Sequence, residues 1–278
     1  MPYPPDTDVA EQDGVSTYID TTVPSTARVY DAALGGKENY EVDRELLATL
    51  EQHVPQAARF GVINREFLVR ACRFLALQTN VEQFLDCGSG LPTAENVHEI
   101  VHRYNPHARV VYTDNDPIVA AHGRALLEDN TLTRFTVADI FDPEDLLGNQ
   151  TVQEHLDWTE PMVFLQVSTV HFCDDERDPA AIMRRYIDAL PSGSYVVFSH
   201  IFDPGETHQD VLDPVAQHYA TSGGRAHFRT REELTTMLNG LHLLEPGLVP
   251  VTEWWPDGPH TTHNRIDDCF VAAVGYKP

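Results

Sequence analysis

In Phe84-Leu85-Asp86-Cys87-Gly88-Ser89-Gly90-Leu91-Pro92-Thr93, an apolar run ends on a carboxylate, two glycines follow in close spacing, and Thr93 stands ready to cap a helix. Farther on, Val110-Val111-Tyr112 forms a second strand-like run that ends on Thr113-Asp114. A strand, a glycine turn, a helix and a second strand ending on an acid make the βαβ pattern that holds a nucleoside-containing ligand. Gly88 and Gly90 allow positive φ and bring the main chain close to whatever sits above the turn.

The acid ahead of the first glycine narrows the ligand. A NAD-type fingerprint calls for glycine where Thr93 stands, and Asp86 would repel a pyrophosphate. A molecule with a cationic amine or sulfonium and one carboxylate suits the turn better, and S-adenosylmethionine has that charge pattern. Asp114 is placed to accept two hydrogen bonds from ribose hydroxyls. Asn115 and Asp116 follow it and lead into Pro117, which suits the first turn of a helix. Val137-Ala138-Asp139-Ile140 closes a third strand, where Asp139 would accept from an adenine amino group and Ile140 would cover the base. A fourth strand runs into Val167-Ser168-Thr169-Val170-His171-Phe172, and a fifth ends at His200. Ligands of open α/β sheets lie outside the carboxyl ends of the strands, which directs Ser168, His171 and His200 toward the crevice.

The rest of the chain agrees with an α/β domain. Its 278 residues can bury a large core, and 42% hydrophobic with 22% charged content is ordinary for a globular protein. The net charge of −24 is not ordinary. It repels phosphate backbones and anionic membrane surfaces, and the 19 basic residues form no patch, so neither nucleic acid nor membrane is an expected partner. No apolar run reaches the roughly 18 residues that span a bilayer. Cys72, Cys87, Cys173 and Cys269 are widely spaced without a Cys-x-x-Cys, as reduced thiols of a cytoplasmic protein would be, and the acidic, Pro-rich start is unlike a signal peptide.

Three segments are expected. Residues 1–24 read as an extended arm and 25–80 as a helical cap. In the cap, Ser25 or Thr26 starts a helix that stops at Gly35-Gly36, Asp43 caps the next, and Phe67, Leu68, Ala71, Phe74 and Leu75 form an apolar stripe. Residues 81–278 alternate strands (Gln83–Cys87, Arg109–Thr113, Thr133–Val137, Met162–Val167, Ser194–His200) with helices (Ala94–Tyr104, Pro117–Leu127, Asp178–Leu190). Leu241–Val251 and Cys269–Tyr276 read as a strand pair at the sheet edge. The expected fold is a Rossmann-like α/β sandwich of seven strands, mainly parallel with an antiparallel C-terminal edge.

On Asp86-Cys-Gly88-Ser-Gly90, Asp114 and Asp139, the chain resembles the class I S-adenosylmethionine-dependent methyltransferases over residues 81–278, with Pro92 where a third glycine is common. More closely it resembles a bacterial S-adenosyl methyltransferase family. Members of that family carry a segment like Ala27-Arg28-Val29-Tyr30-Asp31-Ala32-Ala33-Leu34-Gly35-Gly36-Lys37-Glu38-Asn39-Tyr40, the Leu-Pro-Thr ending at Thr93, and Val111-Tyr-Thr-Asp-Asn-Asp-Pro117. The resemblance implies methyl transfer from S-adenosylmethionine to the oxygen or nitrogen of a small molecule, with S-adenosylhomocysteine as product. It places Asp86, Gly88 and Gly90 at the methionine part, Asp114 and Asn115 at ribose, Asp139 and Ile140 at adenine, and Ser168 nearby. His171, His200 and Tyr30 are the candidate bases. Lys37, Asn39 and Tyr40, with Tyr30, would form a lid over the cofactor.

Other readings compete. His98-Glu99-Ile100-Val101-His102 fits the zinc-protease pattern, yet both histidines are expected off the apolar stripe of Val97, Ile100, Val101 and Tyr104, no third ligand is evident, and no metal is expected. A dinucleotide oxidoreductase and a non-catalytic S-adenosylmethionine-binding protein are the alternatives to the enzyme. Trp254 and Trp255, in a loop with His260 and His263, would either wall a substrate pocket or close the core.

Overall fold

Apolar residues alternate between the two faces of each central strand, and that alternation assigns the helices to two layers. The computed structural model describes residues 11–12, 15–16, 19–93, 95–126, 131–222, 224–258 and 264–278. Most of the arm, along with His260 and His263, lies outside the described residues. Two short strands, β1 (Glu11–Gln12) and β2 (Val15–Ser16), pair with each other. The main sheet comprises β3 (Gln83–Cys87), β4 (Arg109–Asp114), β5 (Thr133–Val137), β6 (Val163–Val167), β7 (Tyr195–Ile201), β8 (His242–Leu243), β9 (Val249–Pro250) and β10 (Phe270–Tyr276). Its order is β5-β4-β3-β6-β7-β10-β8, with β9 also on β10.

Strands β3 to β7 are mutually parallel, and β10 runs antiparallel to β7, β8 and β9. The expected C-terminal strand pair is present at this antiparallel edge, with its first member split into β8 and β9, both on β10. The other strands fall within one residue of their expected bounds.

One layer holds α3 (Arg59–Gln78), α4 (Val97–His102), α5 (Pro117–Leu126) and α9 (Gln209–Thr221), packed on Phe84, Val110, Tyr112, Val163, Leu165 and Val197. The other holds α6 (Pro143–Gly148), α7 (Gln150–His155), α8 (Pro179–Ala189) and α10 (Arg231–Met237), packed on Leu85, Val111, Phe164, Val196 and Phe198. Burying each such Phe, Val or Leu is worth about 1.5–3 kcal/mol, so the sheet's two faces supply the bulk of the driving force. Trp254 is fully buried against Phe67, with ring centroids 5.5 Å apart, and stacks on Trp255. The tryptophan pair closes the core under α3.

Two expected helix starts are displaced. The helix after the glycine turn begins at Asn96, whose N–H donates to Glu99 Oε2 at 2.7 Å while its own Oδ1 takes the Thr93 N–H at 3.0 Å. That reciprocal cap outcompetes Thr93 and lengthens the loop. Likewise the N-cap of α2 (Glu41–His53) is Tyr40, and Asp43 acts from the third helical position, accepting from the Tyr40 N–H at 2.8 Å.

Asp43 has a second duty. Both it and Arg28 of α1 (Thr26–Ala33) are buried, and Arg28 Nε lies 2.9 Å from Asp43 Oδ2. Arg28 also donates to the carbonyls of Asp20 and Val23, and the Ser25 N–H donates to Asp43 Oδ1. Beside this pair, buried Asp31 accepts from the Glu38 N–H and from Asn39 Nδ2 at 2.7 Å. A Cβ at Gly36 would meet the Asp31 carboxylate at 2.0 Å, so the glycine is there for the close approach. The Gly-Gly-Lys-Glu-Asn-Tyr segment is thus a polar knot that ties α1 to α2.

Removing one partner strands the other charge without water. Asp43→Ala should lower unfolding stability by about 3–5 kcal/mol, whereas Arg28→Met combined with Asp43→Leu should recover most of it. Urea unfolding of the two variants checks this.

Candidate functional site

The sheet order reverses between β4 and β6 on either side of β3, and the loops leaving β3 and β6 diverge. The crevice left there opens into a cleft of about 870 Å³, roofed by α1, α2, α3 and α9. Of the expected residues, Asp86, Gly88, Gly90, Asp114, Asn115, Ile140, Ser168 and Tyr30 all line it.

Thr113 fixes the glycine turn: its carbonyl accepts from the N–H groups of Gly88 and Ser89 at 2.8 and 3.0 Å. Gly88 has φ +72°, and a Cβ there would strike the Thr169 methyl at 2.6 Å. Gly90 has φ +66° and open space where a Cβ would stand, so the main chain itself faces the cleft. Its N–H donates to Asp114 Oδ2 at 2.9 Å, and the Asp116 N–H donates to Asp114 Oδ1 at 3.0 Å. The turn therefore orients the carboxylate, and each oxygen keeps a lone pair for a ligand hydroxyl.

Asp86 is 6% exposed. Burial raises its carboxyl to about 7, against relief from Arg65 and with a further push from Asp114. Burial likewise raises Asp114 to about 6. Arg65, on α3, lines the cleft beside Asp86 and donates to the Glu95 carbonyl at 2.6 Å. Nothing local in the sequence singles this arginine out; only the packing of α3 on β3 does.

Tyr30 ends a chain of hydrogen bonds. Ser199 Oγ donates to Asn64 Oδ1 at 2.6 Å, Asn64 Nδ2 donates to Tyr30 Oη at 2.9 Å, and that hydroxyl donates to the Gly61 carbonyl at 3.2 Å. Burial raises the phenol above its ordinary value.

Other expected residues are placed elsewhere. The Asp139 carboxylate accepts from the Phe141 N–H at 2.8 Å and pairs with Arg177 at 3.0 Å, outside the lining, while its neighbours Ala138, Ile140 and Phe141 face the cleft. Lys37, Asn39 and Tyr40 do not line it either; Asn39 is spent on Asp31, and the Tyr40 ring receives the Arg28 guanidinium. His200 is fully buried, with Nδ1 at 2.6 Å from the Ile201 carbonyl and Nε2 accepting from Arg229 at 3.1 Å. His171 is fully buried 5.3 Å from it, and neither histidine lines the cleft.

In the zinc-like pattern, His98 is buried rather than on the polar side, its Nδ1 on Tyr112 Oη at 2.8 Å. His102 Nε2 is on the Ala108 carbonyl at 2.8 Å. Among the described residues there is no group of three potential metal ligands, and no helix is long and apolar enough to cross a membrane.

A model of the S-adenosyl methyltransferase family matches residues 12–278, and the chain belongs to that family. Its cofactor is S-adenosylmethionine. The chain is similar to a candidate methyltransferase from Thermobifida fusca, with 37% identity over 93% of this chain and 96% of that one and a TM-score of 0.87. It is similar also to a DUF574 family protein from Streptomyces avermitilis, with 36% identity, 93% and 99% coverage and a TM-score of 0.87. No curated protein matches.

Burial acts in opposite directions on the acids and the imidazoles. His200 is pushed down to about 3, which makes stability rise with pH through its ordinary range. Asp86 is pushed up from 3.8 to about 7, so between those values the folded chain holds the extra proton, and its contribution falls as pH rises. Unfolding of Asp86→Asn beside wild type should therefore show the variant gaining on wild type from pH about 4 to about 7 and level above. A gap that stays constant would contradict the raised carboxyl.

Proposed function

We propose that this protein transfers the methyl group of S-adenosylmethionine to a small-molecule oxygen or nitrogen in the cleft between the sheet and helices α1, α2, α3 and α9. The observation that carries the reading is the pairing of Asp86 and Asp114 around the open backbone at Gly90. The donor set fits the cofactor's charges: a buried carboxylate that Arg65 relieves only in part suits an ammonium, and Arg65 itself suits a carboxylate. Bound there, the cofactor supplies a methyl group on a sulfonium, open to in-line attack.

The chain's residues have distinct tasks in this reading. Asp86 holds the ammonium and Arg65 the carboxylate of the aminoacyl end. The Asp114 oxygens, each already oriented by a backbone N–H, accept from the ribose diol. Ile140 and Phe141 flank the base, while Asp139 fixes the turn that presents them. Tyr30 Oη, held between Asn64 and Gly61, has one lone pair left to orient an acceptor O–H or N–H. Its raised pKa keeps it a phenol at neutral pH, so it positions and does not abstract. His171 and His200, behind the lining, support the β7 end. Alignment of nucleophile and methyl carbon accounts for the rate, and the helical roof excludes water.

Calorimetric titration tests the reading. S-adenosylmethionine and S-adenosylhomocysteine should both bind wild type, and Asp114→Ala should weaken each by about 1–3 kcal/mol, the cost of losing a charged hydrogen-bond partner. Absence of wild-type binding at millimolar ligand would contradict it.

A further inference from the structure

The two halves of the cleft have different chemistry. The floor, at the strand ends, carries Asp86, Asp114, Asp116 and exposed main chain. The helical roof is lined by Val29, Leu47, Leu50, Phe60, Leu68 and Val215. Among the described residues, α1, α2, α3 and α9 contribute no carboxylate or lysine to that lining. Their single cation is Arg65, which faces Asp86 and donates to the Glu95 carbonyl.

A polar group sits within this apolar roof without a complete set of partners. His218 of α9 is 7% exposed and is the one imidazole among the described lining residues. Its Nδ1 has no hydrogen-bond partner, and the Leu46 backbone is the partner the ring does have. Burial lowers it to about 4, so at neutral pH it offers a lone pair and no positive charge. The adjoining Tyr219 and Tyr30 are near enough for each other's charge to be felt.

An anion entering this half would give up its hydration, find only Arg65, already facing Asp86, and the solvent-exposed Arg225 to answer its charge, and meet the acidic floor of a chain with net charge −24. An apolar molecule would displace water from aliphatic and aromatic walls at no such cost.

We propose that the roof half of the cleft is the acceptor site and takes an uncharged, predominantly apolar small molecule, whose one polar group lies against His218 and Tyr30. This deepens the methyltransferase reading and rests on it.

The test uses the full chain saturated with S-adenosylhomocysteine and two probes of one shape, 2-naphthol and 2-naphthoate. Naphthol should bind saturably, and naphthoate about tenfold more weakly or worse. Leu47→Asp puts a charge on a half-buried position of the roof. It should weaken naphthol about tenfold or more, leaving S-adenosylhomocysteine affinity unchanged, while Leu47→Met keeps both. Retained S-adenosylhomocysteine binding shows that the variant is folded. Naphthoate binding as tightly as naphthol, no naphthol binding, or naphthol indifferent to Leu47→Asp would each overturn the acceptor class alone. Failure of S-adenosylhomocysteine to bind wild type would overturn the cofactor reading, and the acceptor class with it.

Discussion

Two carboxylates at the ends of adjacent parallel strands, Asp86 buried and Asp114 half-buried, set the terms for the rest of the molecule. Asp86 and Asp114 sit where β3 and β4 leave the sheet, and burial raises both well above their ordinary value. A buried acid is costly unless something answers its charge. Here the answer is partial: backbone N–H groups of Gly90 and Asp116 for Asp114, and the nearby Arg65 for Asp86. The glycine turn, the reversal of strand order and the placement of α3 all serve to hold this under-compensated pair at the mouth of a cleft. A cationic ligand completes it, which is why a site that costs stability on its own suits a cofactor with an ammonium and a sulfonium.

The N-terminal segment is the second constraint. Its Arg28–Asp43 pair and the Asp31 knot are buried polar structures, weak as sources of stability but strict about geometry. They fix α1 against α2, and with that the position of Tyr30 over the cleft. Asn39 and Tyr40 belong to the corner that joins α1 to α2, through Asp31 and Arg28, and with Lys37 they stand outside the cleft lining.

Much of this was legible beforehand because the signals were local. Strand bounds followed from apolar runs, the positive φ of Gly88 and Gly90 from their residue type, and Asp114 from its place at a strand end. What was not legible depended on distant partners. Asp139, read as an adenine ligand, pairs one oxygen with Arg177 of another loop, a partner that no local signal reveals. His200 stands at the end of β7 and His171 in the 3-10 turn that follows β6, but the segment bearing Arg229 folds behind them. Arg65 is one arginine on a long helix, and His218 lies on a helix that the strand–helix rhythm did not register. Thr93 lost its cap to Asn96 because a capping pair with Glu99 was available one turn on. Side-chain identity gave the chemistry at hand; only the crossing of α3 and α9 over the sheet decided which groups share the cleft.

The central claim is that burial leaves Asp86 holding a proton that the cofactor's ammonium displaces. Calorimetry of S-adenosylmethionine binding at pH 6, repeated in buffers of different ionisation enthalpy, counts the protons exchanged. Close to one proton, about 0.5–1.5 per site, should be released, because an ammonium beside Asp86 restores its ordinary ionisation. Binding with no proton release, or with uptake, would contradict the account.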